Sequence, residues 1–361
     1  MISKTHVAIV YTDPTPTTWE KARRAEKMIF DTTGGKPAIE ACVKLAGEKI
    51  KNEVEEEIGF VEHALVNAGK QVSVLCIESD HIISIMRKIM TIEPDVVFNF
   101  CESSNGDSLQ EMYLASAFEL SGVRYTGAPV FTLGLAVHKN LVKDILIRNN
   151  IPTPEFWFVP LNTRFPAIQS EKFPLIVKPH KEDASIGIDD DSVVHTTEEL
   201  VNRIGYVWET FKQHVVVERF LTGREFNVSI LGNRTLDVLP ISEIDYSEMP
   251  DELEKIVSYE AKWIEESVSY GKTKPVCPAR IPVSIEAQLK DIALSSFKLI
   301  GCRHYGRIDM RLDEKGNPFV LEVNPNPDIS PDAGFVRSAK YFGLPYEALM
   351  NRIVDLAMEG A

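Results

Sequence analysis

The stretch that decides the fold is Arg307-Ile-Asp309-Met-Arg-Leu-Asp-Glu-Lys-Gly316-Asn-Pro-Phe-Val-Leu-Glu322-Val-Asn324. It predicts a β-hairpin, because apolar and polar residues alternate on both arms and a polar, glycine-containing bend separates them. The predicted apolar stripe consists of Ile308, Met310 and Leu312 on the first arm and Phe319, Leu321 and Val323 on the second.

The polar face of this hairpin predicts a metal site. With the loop centred between residues 315 and 316, Asp309 faces Glu322 and Arg307 faces Asn324. Opposed like charges destabilise a sheet, so two facing carboxylates indicate a divalent cation between them. Oxygen ligands that leave positions open for water and phosphate suit Mg²⁺. Taken alone, the stretch also fits a hairpin with one solvated face.

Composition narrows the class of protein. The chain of 361 residues is long enough for two or three cores. Its net charge of −14 argues against non-specific binding to nucleic acid or to anionic membranes, since both need a basic field. No apolar run approaches the length of a membrane span, and the apolar stretch His6–Tyr11 is unlike a signal peptide. We therefore expect a cytoplasmic protein.

The five cysteines are scattered and form no CxxC pair, which argues against a disulfide framework or a zinc site. Cys101 has two interpretations, a nucleophile or an incidental thiol. The second is favoured, because no histidine lies near Cys101 in the sequence.

Short apolar strands and helical spacing alternate at the N-terminus, which predicts an open parallel sheet. The predicted strands are Val7–Tyr11, Val72–Ile77 and Val96–Phe100, and the helical spacing covers residues 39–68. Further strands are predicted at Phe156–Val159, Leu175–Lys178, Val193–His195, Val215–Phe220 and Glu225–Leu231, and further helices at Leu135–Asn149, Glu198–Phe211, Ile285–Ile300 and Tyr346–Met358, with a loop from Pro325 to Gly334.

Three charged residues lie within or at the ends of predicted strands and helices and are candidates for binding a ligand. Lys178 ends an apolar strand, and the loop after it closes with Ser185-Ile-Gly187, whose backbone N–H groups can contact phosphate. Glu218 interrupts an apolar strand, so it needs a partner such as an adenine amino group, a ribose hydroxyl or a structural arginine. Lys139 is interpreted either as a phosphate ligand or as a solvated charge.

These pieces, in this order, resemble the ATP-grasp superfamily and, within it, the D-alanine–D-alanine ligase group. The resemblance extends from about Val96 to the C-terminus. It rests on the order and spacing of seven motifs, which are Arg-Tyr-Thr-Gly-Ala (124–128), His-Lys (138–139), Ile-Val-Lys-Pro (176–179), Val-Glu-Arg-Phe-Leu-Thr-Gly-Arg-Glu (217–225), Tyr-Glu-Ala-Lys (259–262), Cys-Pro-Ala (277–279) and Arg-Ile-Asp…Leu-Glu-Val-Asn (307–324).

The resemblance implies an α/β protein, α+β in its ATP-grasp part, with three domains. Residues 1–133 are expected to form an N-terminal Rossmann-like parallel sheet, residues 134–221 the central ATP-grasp subdomain, and residues 222–361 the C-terminal subdomain with the metal site. ATP would bind between the second and third domains. The resemblance leaves the assembly open between a monomer and a homodimer, because the family often forms dimers through the first domain but the predicted helix over residues 39–68 is unlike the family's own.

The family resemblance implies a role for individual residues of this chain, position by position. The nucleotide set implied by the resemblance is Lys139, Lys178, Ser185, Glu218, Arg219, Phe220, Leu221, Glu225 and Lys262. The implied metal ligands are Asp309, Glu322 and Asn324, and the implied catalytic residues are Arg307 and Lys262. The implied chemistry uses ATP and two Mg²⁺ ions, with Mn²⁺ as the alternative. A small carboxylate would be activated as an acylphosphate and attacked by an amine.

The substrate end departs from the family pattern. Residues 11–19 replace the family's glycine-rich segment, Ala184 replaces a serine, and Trp263 replaces a tyrosine. Because these three elements form one hydrogen-bonded lock in the family, their joint absence predicts a different substrate site.

At the acceptor end, Asp328 replaces a glycine and Ala333 a serine that hold the acceptor carboxylate in the family. A carboxylate at this position would repel another, so we expect an acceptor that presents an amine or a neutral group. The candidate substrate residues are Trp263, Asp328 and Ser330. Alternatively, Asp328 and Asp332 cap a turn or a helix.

The sequence leaves three alternatives to this ligase. They are a genuine D-alanine–D-alanine ligase, a catalytically silent nucleotide-binding protein, and an enzyme that makes a thioester. The complete metal set argues against the silent protein, which would have no need of it.

Overall fold

The computed structural model describes residues 4–12, 54–77, 82–101, 109–165, 167–182, 185–263 and 267–360. Its helices and strands in chain order are β1 (His6–Thr12), α1 (54–67), β2 (Gln71–Ile77), α2 (Ile82–Ile92), β3 (Val96–Phe100), α3 (Gln110–Leu120), α4 (Val130–Ala136), α5 (Lys139–Arg148), β4 (Phe156–Val159), β5 (Leu175–Pro179), β6 (Val193–Val194), α6 (Thr197–Phe211), β7 (Val215–Arg219), β8 (Glu225–Gly232), β9 (Leu236–Val238), β10 (Ser242–Asp245), α7 (Tyr259–Trp263), β11 (Lys274–Val276), α8 (Val283–Ile300), β12 (His304–Leu312), β13 (Pro318–Asn324), α9 (Gly334–Tyr341) and α10 (Tyr346–Glu359).

The first sheet is parallel, with strand order β2-β1-β3, as predicted. One face of β1 packs against α1 and against α9 and α10 from the C-terminus. The other face packs against α2 and α3. The predicted helix over residues 39–68 is confirmed for residues 54–67, and its first part lies outside the described residues.

The second sheet is antiparallel, with strand order β4-β7-β5-β6. The amphipathic helix α6 covers one face through Leu200, Ile204 and Val207, which are buried against β5 and β7. The opposite face carries the buried carboxylate of Glu218.

The third sheet has the order β11-β10-β8-β12-β13, and β9 pairs with β8. Its apolar face packs against α8, which ends at Gly301 in the left-handed conformation (φ 81°), as the sequence predicts. α5 packs into this same core through Val142 and Leu146.

The predicted hairpin is present, but its apolar stripe differs from the prediction. Ile308 pairs with Val323, whereas Met310 pairs with Val320, so Leu321 is an extra residue in β13. This β-bulge buries Val320 completely and leaves Phe319 and Leu321 half-buried, so the prediction of an apolar stripe at these two residues is wrong. A bulge inserts one unpaired residue and thereby shifts the alternation of one arm.

The bulge also explains why the site register is nevertheless as predicted. Between the bend and the bulge, each residue of β12 pairs with a residue one position earlier in β13 than a loop centred between residues 315 and 316 predicts. The extra residue of the bulge compensates for this shift, so Asp309 faces Glu322 as predicted. The backbone of Val320 faces a neighbouring segment, since its N–H donates to Pro152 O (2.8 Å).

One helix prediction needs correction, and one helix was not predicted. The helix predicted at Leu135–Asn149 is two helices, α4 and α5, because His138 adopts a non-helical backbone conformation (φ −93°, ψ 79°). The break places Lys139 at the first position of α5. The predicted loop from Pro325 ends at Gly334, as expected. It is followed there by α9, a helix that was not predicted. Within the described residues, no helix combines the length and the apolar character needed to span a membrane.

Candidate active site

Three neighbouring strands of the third sheet build a polar face. β12 lies between β8 and β13, so each outward residue of β12 has one neighbour on either side. Asp309 lies opposite Asn227 on β8 and Glu322 on β13. Arg307 lies opposite Asn324 on β13. The predicted pairing of these residues is therefore confirmed.

Asp309 is held by donors on all three strands. Arg307 donates to both carboxylate oxygens (Nε to Oδ1 2.8 Å, Nη2 to Oδ2 2.9 Å). Asn324 Nδ2 donates to Oδ2 (2.9 Å), and Asn227 Nδ2 donates to Oδ1 (2.7 Å). Asn227 was not predicted from the sequence. The alternation of polar and apolar residues after Glu225 was the signal that could have found it.

Glu322 lies beside Lys139, a candidate ligand for phosphate. Lys139 Nζ lies 3.1 Å from Glu322 Oε1 and donates to Glu182 O (2.8 Å) in the loop after β5. Burial disfavours the charge of Glu322, but Lys139 and Lys178 outweigh it and hold the pKa of this carboxyl below its usual value. Burial likewise opposes the charge of Arg307, and Asp309 outweighs it, so the pKa of Arg307 is raised.

The donor set of this face fits a hard divalent cation. Asp309 and Glu322 supply carboxylate oxygens on adjacent strands, and Asn324 adds an amide oxygen. Mg²⁺ takes a few such protein ligands and completes its octahedron with water and phosphate. Among the described residues, this site included, no group of three or more histidine, cysteine or acidic side chains suited to a metal occurs, so the proposed ligands are two carboxylates and one amide.

A second cluster surrounds Glu218, whose side chain is 1% exposed. Lys178 Nζ donates to Oε2 (3.1 Å), and Lys143 Nζ lies 3.3 Å from Oε1. The structural partners of Glu218 are therefore lysines and not an arginine. Burial disfavours the charge of Glu218, but Lys143 and Lys178 outweigh it and keep its pKa below the usual value.

Lys143 was not among the site residues predicted from the sequence. It is fully buried on α5 and donates to Thr153 Oγ1 (3.0 Å), which in turn donates to Val320 O (2.8 Å) at the bulge. Burial lowers the pKa of Lys143 to about 8, and Glu218 opposes this shift. A lysine four residues after Lys139 lies on the same helix face, which was the available signal.

The segment after β7 joins the second and third sheets. Phe220 and Leu221 are buried, whereas Arg219 is partly exposed and pairs with Glu314 in the hairpin loop. Glu225 begins β8, and its carboxylate accepts from Tyr246 Oη (2.8 Å).

The loop after Lys178 returns to the sheet through a tight turn. Ser185 has a positive φ (63°), and its hydroxyl donates to Val257 O (2.7 Å). Gly187 also has a positive φ (75°), and a Cβ there would lie 2.7 Å from Pro179 Cγ. Arg203 on α6 fixes this turn, because its Nη2 donates to Gly187 O (2.9 Å).

Other predicted residues are described only in part. Lys262 and Trp263 lie on the short helix α7, and their side chains are outside the described part, as is Ala184. Of residues 11–19, only the first two are described. Cys101 is a buried thiol that donates to Val10 O (3.4 Å), which agrees with the incidental interpretation.

The acceptor end follows β13. Asp328 is exposed, and its Oδ1 accepts from the backbone N–H (2.8 Å) and the hydroxyl (2.7 Å) of Ser330. Asp328 therefore caps a turn, the alternative given by the sequence. The helix cap before α9 is Ala333 and not Asp332.

The chain is similar to proteins of a known family. The family model "D-ala D-ala ligase C-terminus" matches residues 151–355, more than half of the chain. The chain belongs to the D-alanine–D-alanine ligase family of ATP-grasp proteins. It is accordingly a ligase that forms C–N bonds, and its family uses ATP and a divalent metal ion.

Individual relatives agree with this membership. An uncharacterized protein of Sinorhizobium fredii, y4sG, is 32% identical over 81% of this chain and 85% of its own length. The D-alanine–D-alanine ligase of Pelotomaculum thermopropionicum is 29% identical over 89% of this chain and 97% of its own. The fold matches the crystal structure of Bacillus anthracis D-alanine–D-alanine ligase complexed with ATP, with a TM-score of 0.67, 19% identity and 98% of both chains covered.

Proposed function

We propose that this protein joins a small carboxylate, such as an amino acid, to an amine other than D-alanine, using ATP and two Mg²⁺ ions. The observation that carries the proposal is the convergence of Asp309, Glu322 and Asn324 on one sheet face beside Lys139. The residues proposed to bind ATP are those implied by the family resemblance, and Lys143 is added only as a buried partner of Glu218. The domain boundaries after residues 133 and 221 are part of the same proposal.

In the proposed reaction, the substrate carboxylate attacks the γ-phosphate in line and forms an acylphosphate with release of ADP. Bound magnesium would neutralise the phosphate charge from the side of Asp309 and Glu322. Lys139 and Lys178 supply further positive charge at the phosphates. When the amine attacks the acylphosphate, Arg307 stabilises the developing oxyanion with its fixed fork of donors, and phosphate leaves as the amide forms.

The acceptor part of the proposal rests on Asp328. Its negative charge lies in the loop directly after β13, where the family carries a glycine. Capping a turn does not remove this charge, because the carboxylate accepts hydrogen bonds from Ser330 and remains exposed. An acceptor carboxylate would be repelled, whereas an amine or amide would not.

A phosphate-release screen tests the proposal. The protein is incubated with ATP, Mg²⁺ and pooled amino acids, dipeptides and simple amines, and products are identified by mass spectrometry. We expect phosphate release that depends on both an acid and an amine, with an amide product. ATP binding without any substrate-dependent release across the panel would contradict the ligase proposal, and a thioester product would redirect it.

A second candidate is a genuine D-alanine–D-alanine ligase with a rebuilt substrate lock. It is favoured by the names of several relatives, including that of Pelotomaculum thermopropionicum. Phosphate release that depends on D-alanine alone, with the dipeptide as product, would establish it.

A further inference from the structure

Arg311 is a buried arginine on β12 that the proposed reaction does not use. It follows Asp309 by two residues and therefore lies on the same face of the third sheet, opposite Glu225 on β8. Its side chain is 4% exposed. A buried guanidinium carries a large desolvation cost unless its donors are paired, so its partners indicate what it holds in place.

The guanidinium of Arg311 connects three separate segments. Its Nε donates to Gly223 O (3.0 Å) in the linker after β7, and its Nη2 donates to Lys255 O (2.7 Å) in the segment that leads to α7. Its Nη1 donates to Glu225 Oε2 (3.2 Å). Arg311 therefore fixes the linker, the start of β8 and the segment before Lys262 relative to β12.

Aromatic rings complete this environment. The guanidinium carbon of Arg311 lies 4.9 Å from the centre of the Phe220 ring and 5.5 Å from that of Tyr246. Both distances are in the range of cation–π contacts. Tyr246 also donates from its hydroxyl to Glu225 Oε2 (2.8 Å), so Arg311 and Tyr246 bind the same carboxylate oxygen.

This arrangement orients the Glu225 carboxylate. Within the described part of the chain, Oε2 accepts both hydrogen bonds that the Glu225 carboxylate receives. The side chain of Glu225 is 14% exposed. Oε1 is then the oxygen available to a ligand from outside. We propose that Arg311 is a positioning residue that sets Glu225 to accept a hydrogen bond from a ribose hydroxyl of the nucleotide. The inference rests on the proposed nucleotide site, in which Glu225 is the ribose carboxylate.

Binding of ATP, 2′-deoxyATP and 3′-deoxyATP to the full chain, measured by calorimetry, tests this inference. A hydrogen bond to a charged group is expected to make ATP bind about tenfold more tightly than at least one deoxy form in the wild type. In Arg311→Met this ratio should fall to about one, because the carboxylate is no longer held. Tyr246→Phe removes the other partner of Oε2 and should lower the ratio by about threefold.

The matched control is Arg224→Met. Arg224 precedes Glu225 but pairs with Glu243, so its removal should leave the ratio unchanged. A wild-type ratio that persists in Arg311→Met overturns the inference, as does a wild type with no preference for ATP over either deoxy form. If Arg311→Met does not fold, an unchanged ratio in Tyr246→Phe overturns it. A wild type that fails to bind any of the three nucleotides contradicts the proposed function instead.

Discussion

The proposed nucleotide end of the site is built from paired charges on regular strands, whereas the proposed acceptor end is an exposed turn. Asp309 has hydrogen-bond donors on β8, β12 and β13, and Glu218 is enclosed by two lysines. Asp328, in contrast, is exposed and is held only by Ser330 two residues later among its described hydrogen bonds.

The difference shows which part of the site can change. Replacing a group at the nucleotide end leaves a buried charge without its partner, which is costly. A substitution in the exposed turn alters the charge presented to a substrate with little effect on the core, because surface changes are usually small in free energy. Under the proposed assignment, the family chemistry is kept at one end, while the acceptor specificity can diverge at the other.

The largest expected effect comes from Asp309→Asn. Loss of one metal-binding carboxylate should reduce kcat by about a thousandfold, because the transferred phosphoryl group loses several kcal/mol of charge stabilisation. The measurement is substrate-dependent phosphate release at saturating ATP. Asp313→Asn in the same hairpin is the control, since Asn retains the oxygen that caps the loop at Lys315 and Asn317. Equal rates for both variants would remove Asp309 from the metal site.

Next in size is the pH dependence of the buried cluster. The pKa of Lys143 is about 8 in the folded chain against an ordinary 10.5, so the unfolded chain binds more protons between these values. Stability due to this lysine therefore rises with pH across that window. Relative to Lys143→Met, the wild type should gain up to about 3 kcal/mol in unfolding free energy from pH 8 to 10.5.

Denaturant unfolding at a series of pH values measures this gain. Lys290→Met, which removes a lysine from the surface of α8, is the matched control and should follow the wild type. Parallel curves for the wild type and Lys143→Met would show that Lys143 is not a strained buried charge.

Asp328→Asn should act on the acceptor alone. Asn keeps the oxygen that accepts from Ser330 but removes the charge, so kcat/KM with D-alanine as acceptor should rise about thirtyfold, the equivalent of about 2 kcal/mol. The dissociation constant for ATP should not change. Asp332→Asn, in the same loop, is the control. An unchanged preference in Asp328→Asn would leave the turn cap as the only role of Asp328.

Much of the fold could be predicted, and so could the pairing of Asp309 with Glu322, because both follow from strand periodicity and from motifs of fixed spacing. The bulge at Leu321 could not, since it arises where Val320 bonds to Pro152, a contact between residues far apart in the chain. Lys143 and Arg311 were missed for the same reason. A charged residue looks solvated in a sequence until tertiary contacts supply its partners.

The most direct test of the account compares D-alanine with D-alanine amide as acceptors, with the acid that the phosphate-release screen identifies as donor. We predict a higher kcat/KM for the amide, because only D-alanine brings a carboxylate towards Asp328. Efficient synthesis of the D-alanine dipeptide by the wild-type protein, with Asp328 intact, would contradict it.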